Sequence, residues 1–523
     1  MSVVPPVVNG SSIIIANFLG QAELNSVESF DINSGKLLWK TSLQKDGVDP
    51  RIWSGLSYDP ETNLVFIVTS SSMNFFAKYY GDGYAASLIA IDGRTGKIVW
   101  QFQEIKQEIW DLDMVGPPIV TEIKRNGEKI PAVVGLSKTG NVILVERETG
   151  KSIFGFSYRD APVSDIEGEP TASQQIFIER PPASIKLEFD FENDVTNLSD
   201  EKRDYVLHKI RNAKSGWYMP VSLNYDVVMF GLNGGAEWPG GSVDQKTGTL
   251  YVPTNNYAYI LRAEYRDSKR ELSRELALTE PTYQQKCASC HGVALEGVFD
   301  WGMGDGFSPA LVGVTKRRDK DYLLSMDVFN ENHKYAYHHT KVPDSDQLFN
   351  NLKFVSQNDL EELFLFFERI DRDIESRGDM TYAATYQYLL DQDGQFGSKP
   401  PWGYLTAYDL NTGDIKWKVP SGEVFDEATN KYYQGDVNVG GAMATGSGLV
   451  FNVGTRDKKA RAFDGDNGNI LWETELPATG SAPPMSYYLD GCQYIVFTAT
   501  GGSRFANFSD ATVAHSLPNC ASR

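Results

Sequence analysis

The chain has 523 residues and a formal net charge of −20, so it is long enough to bury more than one core. The acidic balance argues against nucleic acid as a partner, because neutralising phosphates takes clustered lysine and arginine. Glycine (47 residues) and aromatic side chains (12%) are abundant, which favours many short strands joined by tight turns.

No stretch approaches the run of about 20 apolar residues that a membrane span needs. Residues 1–6 (MSVVPP) also have neither the charged nor the apolar region of a signal peptide.

A repeated hairpin pattern is the first element along the chain. Each copy reads as a strand, an Asp-x-x-x-Gly turn and a second strand that ends in an aromatic residue. The Asp side chain and a glycine at positive φ suit such a turn. The strong copies are residues 28–39, 89–100, 406–417 and 461–472, and 146–154 is a weaker one. Several copies of one hairpin predict a β-propeller.

Polar residues of possible chemical importance follow the second copy. Asp111 and Asp113 stand two residues apart, so in a strand or loop both carboxylates point the same way, which suits a metal ion or a base beside one. Lys138 lies on the next turn, and residues 231–238 form a glycine-rich aromatic turn. The plainer alternatives are that Asp113 caps a strand end and that Lys138 is an ordinary turn lysine. Between these segments, residues 160–218 are irregular, with a helix capped by Ser199.

Residues 268–377 differ from the rest, being charge-rich and helical in period. The sequence Cys287-Ala288-Ser289-Cys290-His291 predicts haem c, with the two thiols bound to the vinyl groups and His291 bound to the iron. A redox cysteine pair or a zinc half-site is less consistent, because no second C-x-x-C and no βαβ pattern accompany it. Ser356 opens a capped amphipathic helix that presents Leu360, Leu363, Phe364 and Phe367 on one face. We therefore expect propeller segments at 1–267 and 378–523 around an inserted cytochrome c domain at 268–377.

Taken together, these motifs resemble the pyrroloquinoline quinone (PQQ)-dependent dehydrogenases, in the branch that contains glucose and quinate dehydrogenases. The resemblance rests on residues 53–59, 90–100, 110–113, 164–169, 234–238, 399–403, 440–441 and 501–502. It implies a mainly β fold, an eight-bladed quinoprotein propeller with an inserted α-helical cytochrome c domain. Fewer blades are visible than eight, so we expect an N-terminally truncated, incomplete propeller that is open where the first blades are missing.

The resemblance also implies roles for individual residues. Asp111 matches the catalytic base, Lys138 the cation beside the quinone oxygens, and Trp53 the aromatic residue that stacks on the quinone, although Trp53 also suits a propeller core. Asp113 and Glu23, with Asp111, match ligands of the PQQ-site ion, Ca²⁺ or a lanthanide. The remaining cofactor contacts implied are Gly234, Gly235, Trp238 and Asn438. Ser71 stands where the family often has asparagine, and Glu237 likewise replaces an asparagine.

The expected function is oxidation of an alcohol, polyol or sugar hydroxyl, with electrons passed through haem c to an external acceptor, a cytochrome or quinone chain. Covalent haem attachment predicts a periplasmic protein whose signal peptide lay upstream. The alternatives are a non-catalytic propeller scaffold and an electron-transfer cytochrome on a degenerate quinoprotein shell. The sixth haem ligand stays open, because Val342 replaces the usual methionine, and so does the pairing of Cys492 with Cys520.

Overall fold

The computed structural model describes residues 4–17, 25–71, 83–169, 171–236, 239–297, 310–326, 329, 355–427, 429–502, 507–517 and 520, without the side chains of Ser289 and Cys290. Strands dominate this part of the chain, and the mainly β prediction is confirmed. All strand pairs within its sheets are antiparallel, as short meanders joined by tight turns require.

Three sheets form first, each an antiparallel meander in chain order. Sheet 1 contains β1 (Val7–Asn9), β2 (Ser12–Asn17), β3 (Ser26–Asp31) and β4 (Leu37–Ser42). Sheet 2 contains β5 (Ser57–Asp59), β6 (Leu64–Val68), β7 (Ser87–Asp92) and β8 (Ile98–Gln103). Sheet 3 contains β9 (Met114–Arg125), β10 (Glu128–Ser137) and β11 (Val142–Glu146).

An irregular stretch follows, with the hairpin β12 (Ser157–Asp160) and β13 (Gln174–Phe177) and the helix α1 (Asp200–Lys209). Ser199 caps α1 by accepting a hydrogen bond from the amide of Lys202 at 3.2 Å, so the predicted cap is confirmed. The next strands are β14 (Val227–Phe230), β15 (Gly235–Ala236), β16 (Ser242–Asp244), β17 (Thr249–Asn255) and β18 (Ala258–Asp267).

Helices fill the interval after β18. They are α2 (Glu271–Leu278), α3 (Pro281–Lys286), α4 (Ala288–His291), α5 (Val314–Arg317), α6 (Lys320–Leu324) and α7 (Gln357–Ser376). The capping box predicted at Ser356 is present, and the predicted apolar face of α7 is buried. It packs on Tyr283, Ala288 and Val312 in one apolar cluster. None of the helices in the described part of the chain combines the length and hydropathy that a membrane crossing requires.

The chain then returns to strands. These are β19 (Met380–Tyr388), β20 (Gly403–Asp409), β21 (Asp414–Pro420), β22 (Glu423–Asp426) and β23 (Lys431–Gln434). After them come β24 (Ala442–Ala444), β25 (Leu449–Asn452), β26 (Lys459–Asp464), β27 (Ile470–Glu475), β28 (Met485–Leu489), β29 (Cys492–Gly502) and β30 (Asn507–Ser516).

These strands complete three more propeller-type sheets and one side sheet. Sheet 4 is β15, β16, β17, β20 and β21, sheet 5 is β24–β27, and sheet 6 is β28–β30. A disulfide joins Cys492 to Cys520, with the two Cα atoms 5.6 Å apart, which answers the question of their pairing. The side sheet is β14, β18 and β19. Its strands β18 and β19 pair up to Asp267 and Met380, so both ends of the helical segment meet at one cross-strand pair.

The repeated turns join each sheet to the next. The indole of the last strand of one sheet donates a hydrogen bond, at 3.0–3.1 Å, to a backbone carbonyl in the turn of the following sheet. The pairs are Trp39 to Gly93, Trp100 to Arg147, and Trp417 to Gly465. Each ring also covers the glycine that closes the following turn, where a Cβ would overlap it. Phe154 covers Gly413 in the same way, so the weaker copy uses Phe for Trp.

Apolar clusters fill the spaces between consecutive sheets. Ile14, Val27, Ile67 and Ile89, all fully buried, lie between sheets 1 and 2, and each side chain contributes about 1.5–3 kcal/mol by leaving water. Similar clusters join sheets 2 to 3, 3 to 4, 4 to 5 and 5 to 6. Six of the sheets that the described residues form thus pack against one another in chain order, and the eight-bladed ring and its opening stay predictions.

Candidate active site

The end of the β9–β10 ladder positions two of the predicted site residues. Met114 pairs with Ser137 in this ladder, and the amide of Lys138 continues it by donating to the carbonyl of Asp113 at 3.0 Å. Asp113 and Lys138 therefore face each other where the two strands end. Asp111 follows two residues outward in the same loop, as the spacing of the two carboxylates requires.

Lys138 brings the two carboxylates together. Its ammonium Nζ lies 3.1 Å from Asp111 Oδ2 and 3.0 Å from Asp113 Oδ2, and it also donates to the backbone carbonyl of Asp111 at 2.9 Å. The lysine and Asp113 side chains are 5% and 4% exposed, whereas Asp111 is 18% exposed. Asp111 is thus the member of the triad that a molecule arriving from solvent meets.

Trp53 lies on the same ammonium group. The centre of a Trp53 ring is 5.5 Å from Lys138 Nζ, within cation–π range. The indole is half-buried and packs on the cluster between sheets 3 and 4. Trp53 therefore combines the two predicted alternatives, since it is anchored in a propeller core and also covers the site.

Ser71 and Arg51 complete this side of the site. The backbone amide of Ser71, just after β6, donates to Asp113 Oδ1 at 2.6 Å. Arg51 is near enough for the charges of Asp113 and Asp111 to oppose the effect of burial, which lowers its pKa. The position of this second cation, two residues before Trp53, is a signal that the sequence itself contains.

Burial and charge set the protonation of the triad. Burial raises the pKa of Asp111 to about 7, against the attraction of Lys138 and with the repulsion of Asp113. Burial alone would lower the pKa of Lys138, but the charges of Asp111 and Asp113 outweigh it and raise that pKa. The lysine is therefore a fixed cation, and Asp111 titrates in the range where a general base is most useful.

The glycine turn of sheet 4 packs against the Lys138 turn. Gly235 has a φ of +57°, and a Cβ there would overlap the Lys138 carbonyl oxygen and crowd the Gly140 amide. Gly234 donates its amide to the carbonyl of Gly231 at 2.8 Å, which closes the turn. Gly235 thus touches the site through its backbone, where only glycine allows so close an approach, and Gly234 closes the turn that holds it.

Asn438 lies in a buried amide network. Its side chain donates to Asn452 Oδ1 at 2.9 Å and accepts from the Gly440 amide at 3.1 Å. Its backbone exchanges two hydrogen bonds with the Asn255 side chain. The structure shows Asn438 joining sheets 4 and 5, and its contact with a cofactor stays a prediction.

The other predicted residues are not part of this triad. Glu23, Trp238 and the side chain of Cys290 lie outside the described residues. Cys287 lies at the edge of the helical core, and His291 ends α4. Across the described ranges, no cluster of three or more His, Cys, Asp or Glu side chains is arranged to hold a metal ion.

The arrangement suits a flat, anionic redox cofactor. A fixed cation, an aromatic face beside it and a partly exposed carboxylate are the groups that such a molecule and a substrate hydroxyl need. The paired carboxylates supply oxygen donors of the kind hard cations prefer, although Lys138 sits between them here. The residues present therefore fit PQQ.

Comparison with known proteins agrees with this geometry. The family model "Glucose/ethanol/alcohol dehydrogenase, beta-propeller domain", a PQQ family, matches residues 1–299 and 329–495. The chain is 24% identical to quinoprotein glucose dehydrogenase A of Acinetobacter calcoaceticus, over 98% of the chain and 57% of that protein. It is also 24% identical to the glycerol dehydrogenase large subunit of Gluconobacter thailandicus, over 99% of the chain and 64% of that protein.

Solved structures show the same fold. The quinohemoprotein alcohol dehydrogenase of Comamonas testosteroni superposes with a TM-score of 0.53 at 17% identity, over 97% of this chain and 58% of that one. A europium-containing methanol dehydrogenase gives 0.52 at 16% identity, over 96% and 66%.

The chain spans less than two thirds of the length of both curated relatives, 57% and 64%. The relatives are quinoprotein and glycerol dehydrogenases, so the predicted enzyme class is confirmed for the family. The matching family model covers most of the chain, and the chain belongs to the glucose/ethanol/alcohol dehydrogenase family of PQQ β-propeller domains.

Proposed function

We propose that the protein oxidises a hydroxyl group of an alcohol, polyol or sugar, with PQQ as the hydride acceptor. The observation that carries the proposal is the buried Lys138 ammonium, held between Asp111 and Asp113 and covered by Trp53. Burying an ion pair of this kind costs free energy. A site that binds an anionic quinone beside a base would explain why the protein keeps the ion pair.

Each residue has a distinct task in this proposal. PQQ, when bound, supplies the electrophilic carbon that accepts a hydride. Lys138 would hold the cofactor's oxygens through its charge, and Trp53 would supply the aromatic face for its ring system. Asp111 takes the proton of the substrate hydroxyl, because its carboxylate is the most exposed of the triad and its pKa of about 7 lies near working pH.

The ion of the site is proposed to be Ca²⁺ or a lanthanide. Asp111 and Asp113 would supply carboxylate oxygens, and Glu23 is the third predicted ligand. Two adjacent carboxylates favour a highly charged, oxygen-seeking cation. Equilibrium binding of Ca²⁺ and La³⁺ to the PQQ-loaded protein, compared with Asp113→Asn, tests this ligand set; binding unchanged in the variant contradicts it.

We further propose that Cys287, Cys290 and His291 hold haem c, which supplies a one-electron acceptor. The side sheet supports electron transfer between the two cofactors, because β18 and β19 connect the helical segment with the apolar cluster around Trp110. Tyr265 and Met380 pack on the helical core at one end, while Tyr259 and Tyr386 pack on the apolar cluster around Trp110 at the other. Met380 and Tyr386 are six positions apart on β19, which corresponds to about 20 Å along the strand.

The cellular location and the acceptor are also proposals. The Cys492–Cys520 disulfide supports an oxidising compartment, which agrees with a periplasmic protein and with covalent haem attachment. The electrons would then pass to an external cytochrome or quinone chain.

Reconstitution tests the proposed activity directly. The purified protein, loaded with PQQ and either Ca²⁺ or La³⁺, is expected to reduce a dye with alcohols, polyols or sugars. Asp111→Asn should keep PQQ and lose about 10²–10⁴ in kcat, the usual contribution of a general base. PQQ binding without turnover on any of these substrates would favour a degenerate shell that only transfers electrons, and failure to bind PQQ would favour a scaffold.

A further inference from the structure

Two buried glutamates in the loop between β8 and β9 have no task in the proposed reaction. Glu104 is 1% exposed and Glu108 is 8% exposed. Carboxyl groups are rarely buried without a specific partner. Both residues instead make hydrogen bonds to the two turns that carry Asp111 and Lys138.

Glu108 holds the backbone on both sides of Asp111. Its Oε1 accepts from the amide of Trp110 at 2.7 Å and from the amide of Leu112 at 2.8 Å. Asp111 itself has a φ of +65°, a left-handed conformation that non-glycine residues seldom adopt. The two hydrogen bonds thus secure a strained turn whose side chain has to meet Lys138.

Glu104 holds the Lys138 turn in the same manner. Its Oε1 accepts from the Thr139 hydroxyl at 2.6 Å and from the Asn141 side-chain amide at 2.9 Å. Thr139 directly follows Lys138, and its amide donates to Ser137 Oγ at 3.1 Å. The turn that carries Lys138 is therefore held by hydrogen bonds to the β8–β9 loop, which also holds Asp111.

In both glutamates the hydrogen bonds to these turns end on a single carboxyl oxygen, Oε1. Among the described residues, neither Glu104 Oε2 nor Glu108 Oε2 has a hydrogen-bond partner. Burial raises the pKa of both carboxyls, which favours the protonated form, and in each glutamate Oε1 is the hydrogen-bond acceptor. A glutamine provides the same acceptor in the same shape.

Resting on the proposed function, we propose that Glu104 and Glu108 are positioning residues for the reaction. Glu108 fixes the backbone of Asp111 and Glu104 fixes that of Lys138, so that the base and the cation keep the distance that the reaction needs. Both glutamates come from the loop between β8 and β9, and each acts on its own turn.

Substitutions by Gln and by Ala separate the acceptor from the carboxyl. Glu108→Gln and Glu104→Gln should keep kcat within about threefold, whereas Glu108→Ala and Glu104→Ala should lower kcat about 10–100-fold with KM changed less than about threefold. Glu148→Ala, an exposed glutamate in the turn after β11, is the matched control and should change neither constant.

Hydrogen exchange supplies a readout that does not depend on the cofactor. Glu108→Ala should speed exchange of the Trp110 and Leu112 amides about tenfold and leave the Lys138 turn slow, because a lost hydrogen bond is worth about 1 kcal/mol or slightly more. Glu104→Ala should act on the Lys138 turn and not on the Asp111 loop. Mass-spectrometric exchange of peptides covering 105–113 and 137–142 measures both.

The outcomes distinguish this inference from the proposed function. Wild-type protein that binds no PQQ refutes the proposed function, while the exchange pattern still decides whether the two glutamates hold the two turns. Unchanged exchange in both Ala variants, Ala variants with wild-type kcat, or Gln variants as impaired as the Ala variants would each overturn the positioning role.

Discussion

Removing the charge of Lys138 should destabilise the protein, because the ammonium group neutralises two nearby carboxylates. Lys138→Met keeps the length of the side chain but removes the ammonium group that lies 3.0–3.1 Å from Asp113 and Asp111. Removing one partner of a buried ion pair costs about 3–5 kcal/mol, because the remaining charge is left uncompensated. The Lys138 side chain is 5% exposed and lies 3.0–3.1 Å from both carboxylates, so this range applies without discount for solvent.

The cost can be converted into a melting temperature. Unfolding entropy is about 2.1 cal/mol/K per residue, which for 523 residues gives about 1.1 kcal/mol/K. If the chain melts as one unit, Lys138→Met should lower Tm by about 3–5 °C at pH 8, measured by circular dichroism. Lys151→Met removes an exposed lysine and should shift Tm by less than about 0.5 °C, since such changes lie within about 0.5 kcal/mol.

A second substitution tests the cause. Asp113→Asn in the Lys138→Met background removes one of the two opposed charges and should recover at least half of the lost stability. The pair of variants separates electrostatic repulsion from poor packing of the methionine. A Lys138→Met protein that melts within 1 °C of wild type, or a double variant no more stable than the single one, would refute the argument that Lys138 neutralises the two carboxylates.

Four further outcomes are expected. Gly235→Ala should lower stability by about 2 kcal/mol or more, because a Cβ meets the Lys138 carbonyl at a φ of +57°; Gly446→Ala, in open space, is its neutral control in the same thermal melt. Cys492→Ala/Cys520→Ala should cost about 3–4 kcal/mol, the loop entropy of a bridge across 28 residues, and a reductant should lower the wild-type Tm but not the variant's. Glu108→Gln should change the pH dependence of Tm: with its pKa raised from 4.5 to about 8, Glu108 favours the fold most below pH 4.5, and up to about 5 kcal/mol of that stability is lost as the pH rises to 8. Relative to wild type, the variant should therefore become progressively more stable as the pH rises from 4.5 to about 8, with no further relative gain at higher pH. Curves of Tm against pH that run parallel for the two proteins would contradict a buried, neutral Glu108. Cys287→Ala should remove the covalent haem stain from protein matured in the periplasm, and an unmodified mass for the wild type would disprove haem attachment.

The repeated hairpins were predictable because their signal is local. An Asp four residues before a Gly fixes the turn within five residues, and the structure shows each such Gly amide donating to the Asp carbonyl at 2.7–2.8 Å. What the aromatic residue at the end does was not predictable from one copy. Trp39 contacts Gly96, which belongs to the next sheet, and contacts between sheets leave no trace in local spacing.

The resemblance named four residues that lie together in the candidate site, but the hydrogen bonds that hold them in place could not be predicted from the sequence. The structure brings Asp111, Asp113, Lys138 and Trp53 together from three loops, as the resemblance implied. Glu108 escaped notice, although a charged residue just before the buried Ile109 and Trp110 was a usable signal. Asn438 was named as a cofactor contact, but its side-chain amide donates a hydrogen bond to Asn452. Such a bond between residues of the protein itself is visible only in the folded structure.

The position of the helical segment follows from the same logic of long-range pairing. β18 and β19 pair over nine positions, from Tyr259 with Tyr388 to Asp267 with Met380, so the strands form a continuous ribbon whatever is inserted beyond its end. Closing a longer loop there costs little extra, because the entropy grows only with the logarithm of its length. Since the ribbon packs on the cluster around Trp110 at one end and on the helical core at the other, the helical segment is tied to the candidate site by paired backbone rather than by a flexible linker. A segment inserted at an outer turn of a sheet would have no such connection to the cluster around Trp110.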